Sequence, residues 1–202
     1  LLLRICAAVL CALAVAPAMA ATLLLDARTA EADARPAVRM YTDAGGRASA
    51  QEVLARRAEF VPPSSPRANL GLRSEAVWLL VPLRIDAQAP RRWVLSVDYA
   101  SIDRIDVYLP SAQGAGEPVP LGRALPFSAH PLPSAVHAAP IELEPGREHE
   151  LLMRVTTRST MVLPVTISTV EAFAAAESRR QFLQGWPPAR CCACCCTASR
   201  NG

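Results

Sequence analysis

The sequence predicts an all-β protein: an antiparallel β-sandwich with one short helix inside it and a connecting helix behind it. Three observations carry that prediction. First, the apolar residues alternate. In residues 92–99 Trp93, Leu95, Val97 and Tyr99 share one face, and in 105–109 Ile105, Val107 and Leu109 lie opposite Asp106 and Tyr108. Successive side chains of a strand point to opposite faces, so this is the pattern of a half-buried antiparallel strand. Second, turn-forming residues interrupt the apolar runs at short intervals, as between the strands of a sandwich. Third, helical composition is confined to two short stretches.

The elements follow in order. Residues 21–36 are rich in alanine and charge with weak periodicity, and read as a loosely ordered lead-in to a sandwich domain over 37–170. A short strand is expected over 38–41, closed by the turn signal Asp43-Ala44-Gly45-Gly46. Ser49-Ala50-Gln51-Glu52 has the form of a capping box, in which Ser49 caps an exposed amide and Glu52 reaches back. A short helix to about Ala58 follows, and then Pro62-Pro63-Ser64-Ser65-Pro66 forces an extended loop.

The strand over 77–85 puts Val77, Leu79, Val81, Leu83 and Ile85 on one face and Trp78 and Leu80 on the other. Pro82 has no amide to donate, which predicts an edge strand or a bulge. Residues 111–133 are rich in Pro, Gly and Ser and read as a long loop, with a possible strand over 119–122. Ile141 and Leu143 lead into Pro145-Gly146, read as the turn of a hairpin into 148–156, whose Leu151, Met153 and Val155 point inward. The last strand spans 161–170, with Leu163, Val165 and Ile167 inward. Residues 171–185, EAFAAAESRRQFLQG, form the connecting helix.

Composition narrows the class. Residues 1–20 carry one basic residue, Arg4, then an apolar run, then Pro17-Ala18-Met19-Ala20, the pattern of a secretory signal cut after Ala20. The run is short for a membrane span. All 21 basic residues are arginine, and the net charge of +3 is spread along the chain, so the basic footprint of a nucleic-acid binder is absent. No cysteine lies between Ala21 and Arg190, so an exported fold here depends on packing rather than disulfides. A domain of this length buries roughly two-thirds of its unfolded surface.

Candidate chemistry is sparse. His130, His137 and His149 lack zinc-ligand spacing and read as solvated or hydrogen-bonded histidines, so no metal or other cofactor is expected. No G-x-S-x-G elbow occurs. Glu142 and Glu144 share the polar face of one strand, but Pro140 and Pro145 suggest an exposed edge rather than a glycosidase pair. Trp93 belongs with its apolar strand-mates. Trp78, opposite the main apolar face, is either core or a ligand platform. Arg123, His130 and the loop between them are further ligand candidates, because long loops on a rigid sandwich carry binding. Arg104 and Arg154 read as structural, paired with carboxylates such as Asp106. Glu177, Arg179 and Arg180 form either a solvated helix face or a juxtamembrane anchor.

Five phrases occur in a telling order: YTDAGGRASAQEVLARRAEF, NLGLRSEAVWLLVPL, RRWVLSVDYASIDRIDVYL, PLGRALPFSAHP and ELLMRVTTRSTMVLPVTI. In that order the chain resembles the extracellular domain, type 2, of the 7TMR-DISM family, over about residues 38–170. The family comprises bacterial seven-transmembrane receptors with diverse intracellular signalling modules. The resemblance implies a jelly-roll-like sandwich that binds a small molecule, carbohydrate among the classes, in the periplasm. A seven-helix membrane region would follow, then a cytoplasmic histidine kinase or diguanylate cyclase. No catalytic residues carry over to the domain. Leu80, Asp86 and His130 depart from the family pattern, so its pocket chemistry does not carry over either. The alternative from another class is a secreted stand-alone carbohydrate-binding module.

The tail over 186–202 fits neither account. Trp186-Pro187-Pro188-Ala189-Arg190 opposes a helix. Crowded Cys191, Cys192, Cys194, Cys195 and Cys196 have no workable pairing geometry between neighbours. Cysteine codons are TGC or TGT. Regrouped by the third base of one and the first two of the next, adjacent cysteines read CTG or TTG, both leucine. The shifted tail is thus compatible with an apolar transmembrane run, and a frameshift near Gly185 is expected.

Overall fold

A computed structural model describes residues 21–63, 69–111 and 114–185, with side chains described to Phe182. The expected signal peptide and the tail over 186–202 lie outside the described residues. Among the described residues twelve strands follow in chain order: β1 Leu23–Leu25, β2 Glu31–Asp33, β3 Arg39–Asp43, β4 Asn69–Leu72, β5 Ala76–Ile85, β6 Arg92–Val97, β7 Arg104–Tyr108, β8 Val119–Leu121, β9 His137–Glu142, β10 Glu148–Thr156, β11 Thr160–Val162 and β12 Val165–Thr169. Two α-helices of the described residues join them, α1 Ala50–Ala55 and α2 Val170–Gly185.

The strands form two facing sheets and a small flap. One sheet has the order β1-β5-β10-β7-β8, with β3 also paired to β5. The other has the order β2-β12-β6-β9, and β11 pairs with β4 separately. The alternating residues read from sequence meet between the sheets. Val77, Leu79, Val81, Leu83, Leu151, Met153, Val155, Ile105 and Val107 of the first sheet share one core with Trp93, Leu95, Val97, Ile141, Val165 and Ile167 of the second. The all-β sandwich is therefore the observed fold.

Pro82 sits neither at an outer edge nor at a bulge: β5 runs between β10 and the pair β1/β3 in unbroken register. The amide of Ile85 donates to Arg147 O on the β10 side, so alternation turns the Pro82 nitrogen toward the other edge. There β3 begins at Arg39, opposite Leu80, and β1 begins at Leu23, opposite Leu83. Pro82 occupies the seam between two short strands laid end to end, where no ladder bond is lost.

Other expectations change in the same way. The lead-in 21–36 holds two strands, β1 and β2, which pair with β5 and β12. Each is only three residues long, too short to show a period. Pro145-Gly146 is not a hairpin turn, because β9 pairs with β6 whereas β10 pairs with β5 and β7. The chain crosses there from one sheet to the other. Pro164 splits the expected last strand into β11 and β12, which belong to different sheets.

Both outer faces are covered by helices. Ser49 and Glu52 complete the capping box, with Ser49 N donating to Glu52 Oε2 at 2.7 Å and Glu52 N donating to Ser49 Oγ at 3.3 Å. The α-helix ends at Ala55, and a 3-10 turn over Arg57–Glu59 carries the chain onward. Val53 and Leu54 of α1, with Phe60, pack on Trp78, Leu80 and Leu152 of the first sheet. Thr169 Oγ1 accepts from Ala172 N at 3.2 Å and starts α2. Phe173 of α2 packs on Val94 and Ala138 of the second sheet and on Val136 just before β9. From there Glu177 lies beside Ser134 and Ala135, and Arg180 reaches Asp98 at 3.0 Å. The helix therefore crosses the sheet and leaves at the end formed by the turns after β3, β4, β6, β8 and β10.

Candidate functional site

The opposite end carries the largest cleft among those described, about 800 Å³. It forms where β9 stops at Glu142, the chain crosses to β10, and the segment after β7 runs past Leu109, Pro110 and Ser111. Strand ends expose side chains that a sheet interior would have to bury, so charge gathers there. Three arginine–glutamate pairs line the cleft. Arg57 Nη2 lies 2.7 Å from Glu150 Oε2, Arg91 Nε 3.5 Å from Glu142 Oε2, and Arg147 Nε 3.1 Å from Glu144 Oε2. His149 Nε2 donates to the Glu144 carbonyl at 3.1 Å.

Arg57 is the best placed of these groups. Its Nε and Nη2 both donate to Glu150, and its Nη1 donates to Leu54 O at 2.6 Å, closing the C-terminal end of α1. One guanidinium thus ties the helix over the first sheet to β10 and to the cleft. Hydrogen bonding to Glu150 raises the Arg57 pKa, against the opposing effect of burial. A smaller hollow of about 260 Å³ between α1 and the residues Pro110, Ser111 and Gly114 shares Arg57, Pro110 and Ser111 with the large one. Paired guanidinium and carboxylate groups side by side offer donors and acceptors to a polar, uncharged ligand. Both members of the Arg91–Glu142 pair are solvent-exposed, as is Arg147.

None of the ligand candidates named from sequence, Trp78, Arg123 and His130, lines this cleft. Trp78 is completely buried, which corrects the ligand-platform reading as the chain is folded here. Its ring lies under α1, 5.8 Å from the Tyr108 ring, and its Nε1 finds no acceptor among the described residues. The platform reading failed because strand alternation tells which face Trp78 is on, but not that a helix covers that face.

Arg123 and His130 sit together at the helix-exit end. Arg123 Nε donates to Asp103 Oδ1 at 2.7 Å, and His130 Nε2 lies 3.2 Å from Gly122 O. Asp103 is the hub: its Oδ2 also accepts from Arg158 N at 2.7 Å, joining three turns. Hydrogen bonds from the Arg158 amide and from Arg123 hold its pKa below the ordinary 3.8.

His137, unlike its two solvated relatives, is buried, 6.2 Å ring to ring from His130. Neither of its ring nitrogens meets a partner at hydrogen-bond geometry, and burial pushes its pKa below the usual 6.5, with the nearby Ala100 backbone opposing. Arg104 Nη2 lies 2.8 Å and Arg154 Nη1 3.8 Å from the Asp106 carboxylate, the structural pairing expected of them. No group of three or more metal-ligating side chains is found among the described residues.

Sequence reasoning missed the charged cleft as a unit. Its footholds were His149 and the pair Glu142 and Glu144, read as sharing one strand although β9 ends at Glu142, whereas Arg57, Arg91 and Glu150 come from segments far apart in the chain.

Two facing sheets, loops at both ends and a helix leaving one end define the protein as a β-sandwich module. Residues 35–169 match the family model described as 7TMR-DISM extracellular 2, and the chain belongs to that family. The match covers the sandwich from the segment before β3 to the end of β12. It makes this an exported, periplasmic sensor domain of the membrane-receptor type. No curated protein matches the chain. No helix of the described residues is long and apolar enough to cross a membrane.

Proposed function

We propose that this chain is the ligand-sensing input domain of a signal-transduction receptor tethered to the inner membrane. Its output would be a diguanylate cyclase or a histidine kinase, and the domain itself carries no catalysis. The observation that carries the reading is the family match over residues 35–169, from the segment before β3 to the end of β12. The reading also includes export with cleavage after Ala20. It includes a frameshift near Gly185 that replaces the first membrane helix. DNA sequencing from the Val170 codon to well beyond Gly202 tests the frameshift. Further apolar spans and an output module in the shifted frame support it, and early closure of every frame would leave a secreted carbohydrate-binding module instead.

The ligand is a small polar molecule, with carbohydrates the first class to try. Adjacent guanidinium and carboxylate groups suit neighbouring hydroxyls, which need a donor and an acceptor within a few ångströms. The cleft at Arg57, Arg91, Glu142 and Glu150 is the site favoured by its size and lining. Arg123 and His130 are the alternative. A ligand signals only by binding two states of the receptor unequally, and Arg57, which touches both cleft and α1, is the group through which occupancy would be felt.

Thermal unfolding with a panel of neutral mono- and oligosaccharides tests this. A hundredfold excess over Kd stabilises by about 2.7 kcal/mol, a shift of several degrees. The shift should vanish in Glu142→Gln/Arg91→Gln and persist in Arg123→Ala/His130→Ala. The reverse pattern moves the site to the other end, and no shift with any sugar removes the carbohydrate class.

A further inference from the structure

Large apolar side chains stand in water at the helix-exit end. Leu72 is 76%, Phe127 67% and Phe182 64% exposed. Register and contacts place all three at one end. Leu72 pairs with Thr160 just beyond the turn that binds Ser101 and Asp103. Asp103 holds Arg123, whose loop carries Phe127, and Phe127 shares a hollow with Gln181, the neighbour of Phe182 on α2. This is also the end from which the chain continues beyond Gly185.

The charges around these side chains are unequal in availability. The acids are engaged within the fold. Asp43 takes the amides of Gly46 and Ala48, and Asp98 takes Arg180 at 3.0 Å. Asp103 takes Arg123 and the Arg158 amide, Glu177 takes Arg180 at 2.6 Å, and Glu75 takes the Ser74 amide beside Arg73. The cations are not so contained. The Arg158 side chain is 94% exposed with one 4.0 Å contact, and Arg47 and Arg179 are exposed. Exposed aromatic and aliphatic tips among outward arginines match a lipid headgroup layer, which takes apolar tips below and guanidinium groups at its phosphates.

We propose that this end of the sandwich rests directly on an anionic bilayer surface, with Leu72, Phe127 and Phe182 dipping into it and Arg47, Arg158 and Arg179 on the headgroups. The contact goes beyond tethering by a membrane span, since it makes the sandwich itself a surface-bound body whose seat α2 shares. It rests on the receptor reading for the presence of a bilayer next to Gly185. It also places the charged cleft at the end facing away from the membrane, open to diffusing ligands.

The test is sedimentation of the full chain with vesicles of phosphatidylethanolamine containing about a quarter phosphatidylglycerol, against vesicles of phosphatidylcholine alone. Leu72→Ser/Phe127→Ser/Phe182→Ser is compared with Leu24→Ser/Val61→Ser, which removes exposed apolar side chains from β1 and from the partner of β3. Residues before Ala21 and after Gly185 are common to every variant, so differences report this end alone. Circular dichroism confirms that each variant is folded. The triple variant should lose about tenfold or more in partition to the anionic vesicles, and Arg158→Glu/Arg179→Glu about tenfold with a flattened salt dependence. The edge variant should bind as the parent does.

Equal binding by parent and triple variant overturns the proposal, as does an equal loss in the edge variant. If the parent forms a dimer without vesicles that the triple variant cannot form, and neither binds lipid through this end, the surface is an interface between copies and the proposal falls. Ligand-induced stabilisation is measured without vesicles. A chain that gains stability from ligand but ignores lipid therefore removes this inference and leaves the sensor reading standing.

Discussion

Gly122→Ala offers a sharp test of how the helix-exit end is built. Gly122 follows β8 and has φ +119°, a conformation that L side chains rarely adopt. A Cβ placed there would lie 2.8 Å from Arg104 Cα and closer still to the Asp103 carbonyl oxygen, both backbone atoms of the neighbouring turn. The approach is tight because the next two amides bond across it, Arg123 N to Ile102 O at 2.9 Å and Ala124 N to Asp103 O at 3.0 Å. The methyl group cannot be accommodated by a rotamer change, so either those bonds or the turn must shift. Backbone strain costs about 1–2 kcal/mol and overpacking against fixed atoms a further 1–3 kcal/mol, together about 2–5 kcal/mol. At a urea m-value near 2 kcal/mol per molar, the midpoint falls by about 1–2.5 M with m unchanged. Gly46→Ala is the control. It also has positive φ, +62°, but its added Cβ meets nothing within 4 Å, so only the strain of about 1–2 kcal/mol applies. If Gly122→Ala costs no more than Gly46→Ala, the close approach is wrong and so is the account of what holds Arg123, Phe127 and His130 in place.

Further outcomes follow from other parts of the fold. His137 is buried with a lowered pKa, so the unfolded chain binds its proton first. Its contribution is present above the ordinary 6.5 and is lost as pH falls from there toward the depressed value, with a slope of at most about 1.4 kcal/mol per pH unit. Urea melts across pH 7 to 5 should show this loss in the parent and not in His137→Gln. The lowered carboxylates Asp33, Asp103 and Glu177 act only nearer their ordinary values of 3.8 and 4.5, so they do not mask it. Phe173→Ala removes the partly buried ring that seats α2 and should cost about 1–2 kcal/mol, below the full-core value. Hydrogen exchange should then quicken over 171–182 while β5, β6 and β10 stay protected, and uniform quickening would refute a separately docked helix. Ser49→Ala breaks the capping box and should cost about 1 kcal/mol. Tryptophan emission should move to the red as Trp78 is uncovered, and an unchanged spectrum and midpoint would show that α1 does not depend on its cap.

The sequence by itself determined the local terms of this protein. Alternation along 92–97, 105–108 and 148–156 named the residues that became the core, because side-chain direction in a strand depends on nothing beyond the backbone. Ser49 and Glu52 announced α1 through contacts three residues apart, and Arg104 and Arg154 announced their pairing with Asp106 through strand chemistry. Phrase order was enough to indicate the family that the match over 35–169 establishes.

What the tertiary structure alone decided was which surface each element finds. Pro82 is tolerated in a central strand because β1 and β3 leave a seam there, and short β1 and β2 hold their places only through partners in the two sheets. Trp78 is core rather than platform because α1, from a distant stretch of chain, lies over it. The charged cleft draws Arg57, Arg91, Glu142 and Glu150 from four separate segments, and the apolar end gathers Leu72, Phe127 and Phe182 from three. A site assembled by chain crossing has no period and no spacing in the sequence, since the distance that matters to its chemistry is measured through space.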